Sequence, residues 1–369
     1  MIGRRRLLQA GLLATGGLLA ACCDASPSGG AAGGTAGAAP MPDEGAPHAR
    51  TWMAFGAEAD IWGADLLPRV RDELATIATT IARFEPVSML ARPDEAALAR
   101  SLVGPGVEVV ECEIDDLWIR DTGPVFVRDG GTGAGVDLNF NGWGGKQEHD
   151  RDAGVARFVA GRAGTAVVTT ELVMEGGGLE VDGEGTAVVT ESCVLNANRN
   201  PGWSRADVEH ELGRLFGVTT VIWLPGIAGH DITDGHTDFY ARFAGPGVVV
   251  AALDDDPGSF DHDVTRRHLD ILRSATDARG RPLRVETLTA PSVLRAEDAG
   301  EDFAAGYVNF YVCNGAVVAP RFGDPDTDPA ARATLERLFP DREVVQLDID
   351  AIAAGGGGIH CATQQEPAR

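Results

Sequence analysis

From about Met41 onward, short apolar runs recur along the whole chain, and their spacing changes from segment to segment. Val107 to Cys112 and Val125 to Arg128 read as strands, the second running into the turn signal Asp129-Gly130. Leu179-Glu180-Val181 and Thr186 to Thr190 flank Asp182-Gly183-Glu184-Gly185, which predicts a hairpin. After Ser204 the period becomes helical: Val208, Leu212, Leu215 and Phe216 share one face, Ser204 caps it and Gly217 stops it. Further strands fit Val218 to Leu224, Val248 to Leu253, Leu283 to Leu288, Val308 to Val318 and Glu343 to Leu347, with helices over Asp261 to Arg273 and Pro329 to Phe339. Helices alternate with strand pairs, so the class is α/β, but the hairpins break the rhythm of a doubly wound sheet. No internal repeat is visible in the residues themselves.

The start of the chain follows different rules. Arg4-Arg5-Arg6 precede an apolar run from Leu7 to Ala21, shorter than the roughly 20 residues needed to cross a bilayer. Charge, a short apolar stretch and small residues predict an export signal over residues 1–21, and the paired arginines point to the twin-arginine route. Leu19-Ala20-Ala21-Cys22 matches a bacterial lipoprotein signal, with Cys22 as the lipidated residue; the alternative is a plain cleaved signal. Residues 22–40 are rich in Gly, Ala and Ser and read as a flexible tether ahead of a catalytic body at 41–369. This predicts the periplasm or cell envelope, with membrane contact only through the lipid. Export in the folded state would let a free thiol form before the protein meets an oxidising compartment.

Composition narrows the function. A formal charge of -24 opposes a nucleic-acid partner, because phosphate binding needs a basic face. The chain holds a single lysine, Lys146, beside thirty arginines. Six cysteines in 369 residues are too few for a disulfide scaffold. Gly176-Gly177-Gly178 and Gly355 to Gly358 lack the spacing of a nucleotide loop.

Four polar clusters carry candidate chemistry. Asp115 to Pro124 mixes carboxylates with Trp118, which suits either a pocket for a flat cation or an ordinary surface loop. Met174 to Gly178 leaves Glu175 as the functional side chain beside glycines that permit close approach or simply a tight turn. His230 to Asp238 places His236 and Asp238 two apart, so an extended segment would point them the same way. That is a candidate acid–base pair, a hydrogen-bonded core histidine, or part of a metal site with His230. Cys361 follows a glycine run among polar residues and is poorly explained as core filler; it is the candidate nucleophile. Cys112, Cys193 and Cys313 lie in apolar patterns and read as buried structural residues, one pair of the four body cysteines being free to form a disulfide.

Several stretches resemble the agmatine deiminase and bacterial-type peptidylarginine deiminase family of the guanidine-modifying pentein superfamily. They are TWMAF at Thr51, DDLWIRDTGPVFV from Asp115, FNGWGGK from Phe140, EGGGLEVDGEGT from Glu175, LNANRNPG from Leu195, DITDGHTDFYARF from Asp231, YVNFYVCNGAVVAPRFGDP from Tyr307 and GGGGIHCATQQEP from Gly355. The resemblance implies a pentein fold, a pseudo-fivefold α/β propeller, and hydrolysis of a guanidinium to a ureido group with loss of ammonia and no cofactor or metal. It implies Cys361 as nucleophile, Asp121 and Asp238 as the carboxylates that bind the guanidinium, His236 as acid and base, and Glu175 as the group that orients His236. Trp118 and Asn309 would line the pocket, and Gly355 to Gly358 would give the covalent adduct room.

Agmatine is the substrate this resemblance favours, with peptidyl-arginine as the alternative. Gly358 stands where the agmatine-specific pattern has asparagine before Ile-His-Cys, and Phe239 where it has asparagine after the aspartate. Three other functions compete: an amidinotransferase using the same intermediate, a metal-dependent hydrolase built on His230, His236, His360 and aspartates, and an anchored cation-binding lipoprotein without turnover.

Overall fold

The computed structural model describes residues 41–128, 133–296, 299–300 and 302–369. The export signal, the tether with Cys22 and the Asp129-Gly130 turn lie outside the described residues.

Among the described residues, sixteen strands form five sheets. Four sheets follow one plan, in which an antiparallel hairpin is joined through a helix to a third, parallel strand. They are β4 (Val125–Val127), β5 (Ala134–Asp137) and β6 (Ala166–Thr169); β7 (Glu180–Val181), β8 (Thr186–Thr190) and β9 (Thr220–Leu224); β10 (Ala241–Gly245), β11 (Val248–Leu253) and β12 (Arg284–Thr289); β13 (Tyr311–Cys313), β14 (Ala316–Arg321) and β15 (Glu343–Asp348). The fifth sheet is built from both ends of the body. Its strands are β1 (His48–Phe55), β2 (Val87–Ala91) and β3 (Val107–Glu111), with β16 (Gln364–Pro367) antiparallel to β1 in the place of the hairpin partner. The fold is therefore a fivefold structural repeat whose last strand closes on its first. Its sequence counterpart is invisible because the modules share an order of strands and helices without sharing residue identities.

The module helices pack into cores shared between neighbouring sheets. Val208, Leu212, Leu215 and Phe216 of Arg205–Phe216 face a core with Val125, Val136, Ala187 and Val189. That helix begins with a reciprocal capping box between Ser204 and Asp207 and ends at Gly217, whose φ of 66° only glycine adopts freely. Full burial of such a side chain contributes about 1.5–3 kcal/mol. The sequence pattern missed the longest helix, Ala59–Ile81, because Pro68 lies inside it and Gly63 at φ 71° breaks its first turn. Val308 to Val318 is not one strand: Gly315 at φ 90° folds it into the β13–β14 hairpin. No helix among the described residues is long and apolar enough to cross a membrane.

Candidate active site

The pseudo-fivefold plan explains where the polar clusters meet. Asp121, Glu175, His236 with Asp238, Asn309 and Cys361 each lie two to five residues ahead of the first strand of a module: β4, β7, β10, β13 and β16. Five equivalent loops thus deliver one or two groups each, and the loops converge. The Asp121 loop is a single helical turn, Ile119–Thr122, and the Glu175 and Asp238 loops are 3-10 turns. His236 and Asp238 consequently do not sit in an extended segment as their spacing suggested. His236 instead pairs with Glu175, Nε2 to Oε2 at 3.1 Å.

Gly177 marks the meeting point. A β-carbon added there would lie 2.6 Å from His236 Nδ1, 2.9 Å from Asp121 Oδ1 and 3.2 Å from Asp238 Oδ2. Its N–H donates to Asp121 Oδ1 at 3.1 Å, and the Trp143 indole N–H donates to Asp121 Oδ2 at 2.9 Å. The Cys361 thiol donates to Asp238 Oδ2 at 3.5 Å and receives the Asn309 amide N–H at 3.3 Å. Asn309 Oδ1 accepts from the backbone of His360 and Cys361 at 3.0 and 3.4 Å. Cys361 is 5% exposed and Glu175, His236 and Asp238 are at most 1% exposed. His236 Nδ1 and Asp238 Oδ1 are buried with no hydrogen-bond partner. Such atoms cost about 1–3 kcal/mol each when left unsatisfied, which marks Asp238 Oδ1 as an acceptor open to a ligand's N–H and His236 Nδ1 as the ring nitrogen open to one.

The charges around this point are strongly coupled. Burial pushes the Cys361 thiol well above its ordinary value, and the Asp238 and Asp121 carboxylates add to that. Burial disfavours charge on His236, but Asp121, then hydrogen bonding to Cys193 and Glu175, holds its pKa well above the usual histidine range. Burial raises the Asp121 carboxyl; the His236 charge opposes this and Asp238 reinforces it. For Asp238 burial is outweighed by His360, His236 and Arg242, which keep it below the usual range. Glu175 is likewise lowered against burial, by His236 and by Arg199. The site pairs a neutral thiol with a charged imidazole among three buried carboxylates, Asp121, Glu175 and Asp238.

Several members of this arrangement escaped the sequence reading. Arg199 is fully buried, with Nε 2.9 and 3.0 Å from the two Glu175 oxygens and Nη1 2.7 Å from Asp234 Oδ2. Asp234 sits at φ 62° and also binds Lys146 Nζ at 2.7 Å, so the lone lysine ties the Trp143 loop to the His236 loop. Trp143 itself holds φ 54° within a left-handed run from Gly142 to Gly145. Its signal was a tryptophan set among glycines in FNGWGGK; Arg199 showed none beyond a charged residue in LNANRNPG. Cys193 is buried but is not mere filler, since its thiol donates to Glu175 Oε2 at 3.6 Å.

The remaining expectations are placed as follows. Trp118 is buried against Trp62, and Gly355 and Gly357 lie where β-carbons would strike the Trp62 and Trp118 rings at 2.1 and 2.3 Å. Gly358 would strike Asn309 Oδ1 at 2.4 Å. Gly355, Gly357 and Gly358 therefore admit the close approach of Trp62, Trp118 and Asn309. Phe239 is half-buried, its ring against Gly306. His230 is exposed and stacks on Phe260, outside the convergence. Among the described residues, the group with metal-ligand spacing is Glu175, Cys193 and His236, a different set from the three histidines, and Arg199 already occupies Glu175. The four body cysteines are free, and Cys112 is only partly buried.

A closed ring of five modules, four led by a hairpin and the fifth by the β16–β1 pair, with cysteine, histidine and carboxylates on equivalent converging loops, defines a pentein. Comparison with known proteins agrees. The Porphyromonas-type peptidyl-arginine deiminase family profile matches residues 40–367. A Streptomyces coelicolor relative is 50% identical over 335 residues, covering 89% of this chain and 98% of that protein. The agmatine deiminase of Stutzerimonas stutzeri is 41% identical over 352 residues, 89% of this chain and 95% of that protein. The solved structure of Enterococcus faecalis agmatine deiminase superposes with a TM-score of 0.82 at 31% identity, covering 89% of this chain and 95% of that one. The chain belongs to the Porphyromonas-type peptidyl-arginine deiminase family.

Proposed function

We propose that this protein hydrolyses agmatine to N-carbamoylputrescine and ammonia through a covalent intermediate on Cys361. The observation that carries this is the convergence of the Cys361 thiol on two buried carboxylates, Asp121 and Asp238, the second with Oδ1 free of any hydrogen bond, beside a charged His236. A planar guanidinium offers N–H donors in a fixed fork to those carboxylates. Asp121 and Asp238 bind its nitrogens and fix its plane, and burial excludes bulk water.

Arrival of the cation lowers the cost of a thiolate, and the thiol proton leaves the site. The sulfur attacks the guanidinium carbon, a C–S bond forms, and the C=N electron pair moves onto nitrogen. His236, charged in the resting site, donates through Nδ1 to one amino nitrogen. The C–N bond breaks and ammonia departs with its electrons, leaving a thiouronium on Cys361 and a neutral His236. Water attacks the same carbon and gives a proton to His236. The tetrahedral species expels the Cys361 sulfur, which regains a proton from the new hydroxyl, and the ureido product remains. The proton released at the start ends on ammonia as ammonium. Glu175, braced by Arg199, orients the imidazole and stabilises its charge in both steps.

The naming of the curated relatives and the burial of Cys361 both favour a slender alkyl guanidine over an internal arginine flanked by peptide backbone. The test is ammonia release by purified protein, with EDTA present, on agmatine, free arginine and a peptidyl-arginine, each product identified by mass. Release from agmatine with a ureido product is expected; preferential release from the peptide would overturn the substrate. Transfer to an added amine in place of water would instead mark an amidinotransferase.

Export by the twin-arginine route with a lipid on Cys22 is part of the same proposal, supported by Arg4 to Arg6, the short apolar run and Leu19 to Cys22. Membrane-associated protein should become soluble in Cys22→Ala. An unchanged distribution would contradict lipidation.

A further inference from the structure

Behind the catalytic face Asp238 joins a second buried charge cluster whose other members the reaction as described does not use. His360, the residue before the nucleophile, has both ring nitrogens against carboxylate oxygens: Nδ1 to Asp238 Oδ2 at 2.7 Å and Nε2 to Glu44 Oε2 at 2.9 Å. Glu44 belongs to the short segment ahead of β1. It reaches inward between the first strands of the modules to meet Arg120 Nη2 at 2.9 Å, Arg242 Nη2 at 2.8 Å and the Val312 N–H at 2.8 Å. Arg242 also binds Glu180 at 2.8 Å. All six ionisable groups are at most 8% exposed.

A neutral imidazole has one N–H and one lone pair. Set between two ionised carboxylates, one of its nitrogens would face an oxygen lone pair to lone pair. The ring is satisfied at both ends only as imidazolium. The buried set then balances, with Arg120, Arg242 and His360 against Glu44, Glu180 and Asp238. We propose that the imidazolium of His360 keeps Asp238 an oriented anion, and that Glu44 is the positioning residue that keeps His360 charged.

Asp238 Oδ2 is fully engaged by His360 and by the Cys361 thiol, which leaves Oδ1 as the oxygen free for the guanidinium. The groups that face Asp238 are His360, Cys361, His236, Arg242 and Asp121. Those that face Glu44 are Arg242, His360 and Arg120, with Asp43, Glu180, Tyr311 and Cys313 as its other ionisable neighbours; the three cations hold its carboxyl well below the usual range against the effect of burial. If Glu44 loses its charge, the cluster carries one cation too many. Arginine cannot release a proton in a protein, so His360 is the group that does. Asp238 then faces a neutral ring in a dry site beside Asp121, and it protonates more readily.

This inference rests on the deiminase reading, and two readouts keep the two separable. In Glu44→Gln the acid limb of the kcat/KM profile for agmatine should move up by about one pH unit or more, an approximately tenfold loss below it. His360→Asn, which retains a donor toward Asp238 without the charge, should move it in the same direction, and the double variant little further, because both act through one charge. Nitrogen NMR of the His360 ring, which needs no turnover, should show both nitrogens protonated in the unaltered protein near neutral pH and one in Glu44→Gln. A merely structural Glu44 would lower the melting temperature and leave the limb and the ring unchanged, and that result overturns the proposal. If Glu44→Gln fails to fold, an unshifted limb in His360→Asn or a neutral His360 in the unaltered protein overturns it equally. An unaltered protein that ignores agmatine contradicts the proposed function, and the NMR result then decides this inference alone.

Discussion

The side-chain amide of Asn309 brackets Cys361, with Nδ2 donating to the sulfur at 3.3 Å while Oδ1 receives the Cys361 backbone N–H at 3.4 Å. One planar group therefore fixes both the nucleophile and the peptide that carries it. The donated N–H favours a thiolate over a thiol, against burial and two carboxylates that do the opposite. Asn309→Asp replaces that donor by a carboxylate and should raise the thiol pKa further. We expect alkylation of Cys361 by iodoacetamide at a fixed pH to slow about tenfold or more. An unchanged rate would remove Asn309 from control of the thiol.

The charge on His236 sets a pH dependence with a definite sign. Its pKa is raised, so the stability linked to its protonation is fully present below about 6.5 and is lost as pH rises through the raised value. If His236 must donate to the leaving nitrogen, kcat falls on the same basic limb. Asp121 is the largest favourable influence, and Asp121→Asn should move the limb down by about one pH unit or more while raising KM. A limb that stays in place would assign it to another group.

Arg199 and Glu175 form an ion pair with no exposure on either side. Removal of one partner leaves an uncompensated buried charge, at a cost of about 3–5 kcal/mol. Arg199→Met should lose that much in a denaturant titration and should also loosen Asp234 and the His236 loop. A loss below about 1 kcal/mol would mean that water reaches the pair.

Gly177→Ala places a methyl group at the point shared by His236, Asp121 and Asp238. Those side chains must move by several tenths of an ångström at least, and misplacement of about 1 Å costs roughly 100-fold in rate. Activity should fall by that order with the fold retained, measured as kcat/KM beside a thermal melt. Near-normal activity would show that the substrate binds elsewhere.

Local rules carried the sequence reading furthest. The Ser204 cap, the Gly217 stop and the Asp182 to Gly185 hairpin need only neighbouring residues, and Cys361 stood out because apolar packing could not account for it. The residues that escaped act at long range. Glu44 meets His360 across 316 positions, and Arg199 joins Glu175 to Asp234 through side chains alone. Buried ion pairs leave no periodic trace, since a charged residue in a loop ordinarily faces water. The fivefold plan was hidden for a related reason: hairpins, helices and parallel strands can be built from many apolar residues, so the modules share geometry without sharing letters.

The central claim is that agmatine is opened by the sulfur of Cys361. The direct test is to mix enzyme with agmatine, quench in acid within a turnover, and weigh the peptide that contains Cys361. The account predicts an adduct on Cys361 equal to agmatine less ammonia, formed and lost at the rate of turnover and absent in Cys361→Ser, which should be inactive yet folded. Turnover by Cys361→Ser, or turnover by the unaltered enzyme with no adduct on that peptide, would contradict it.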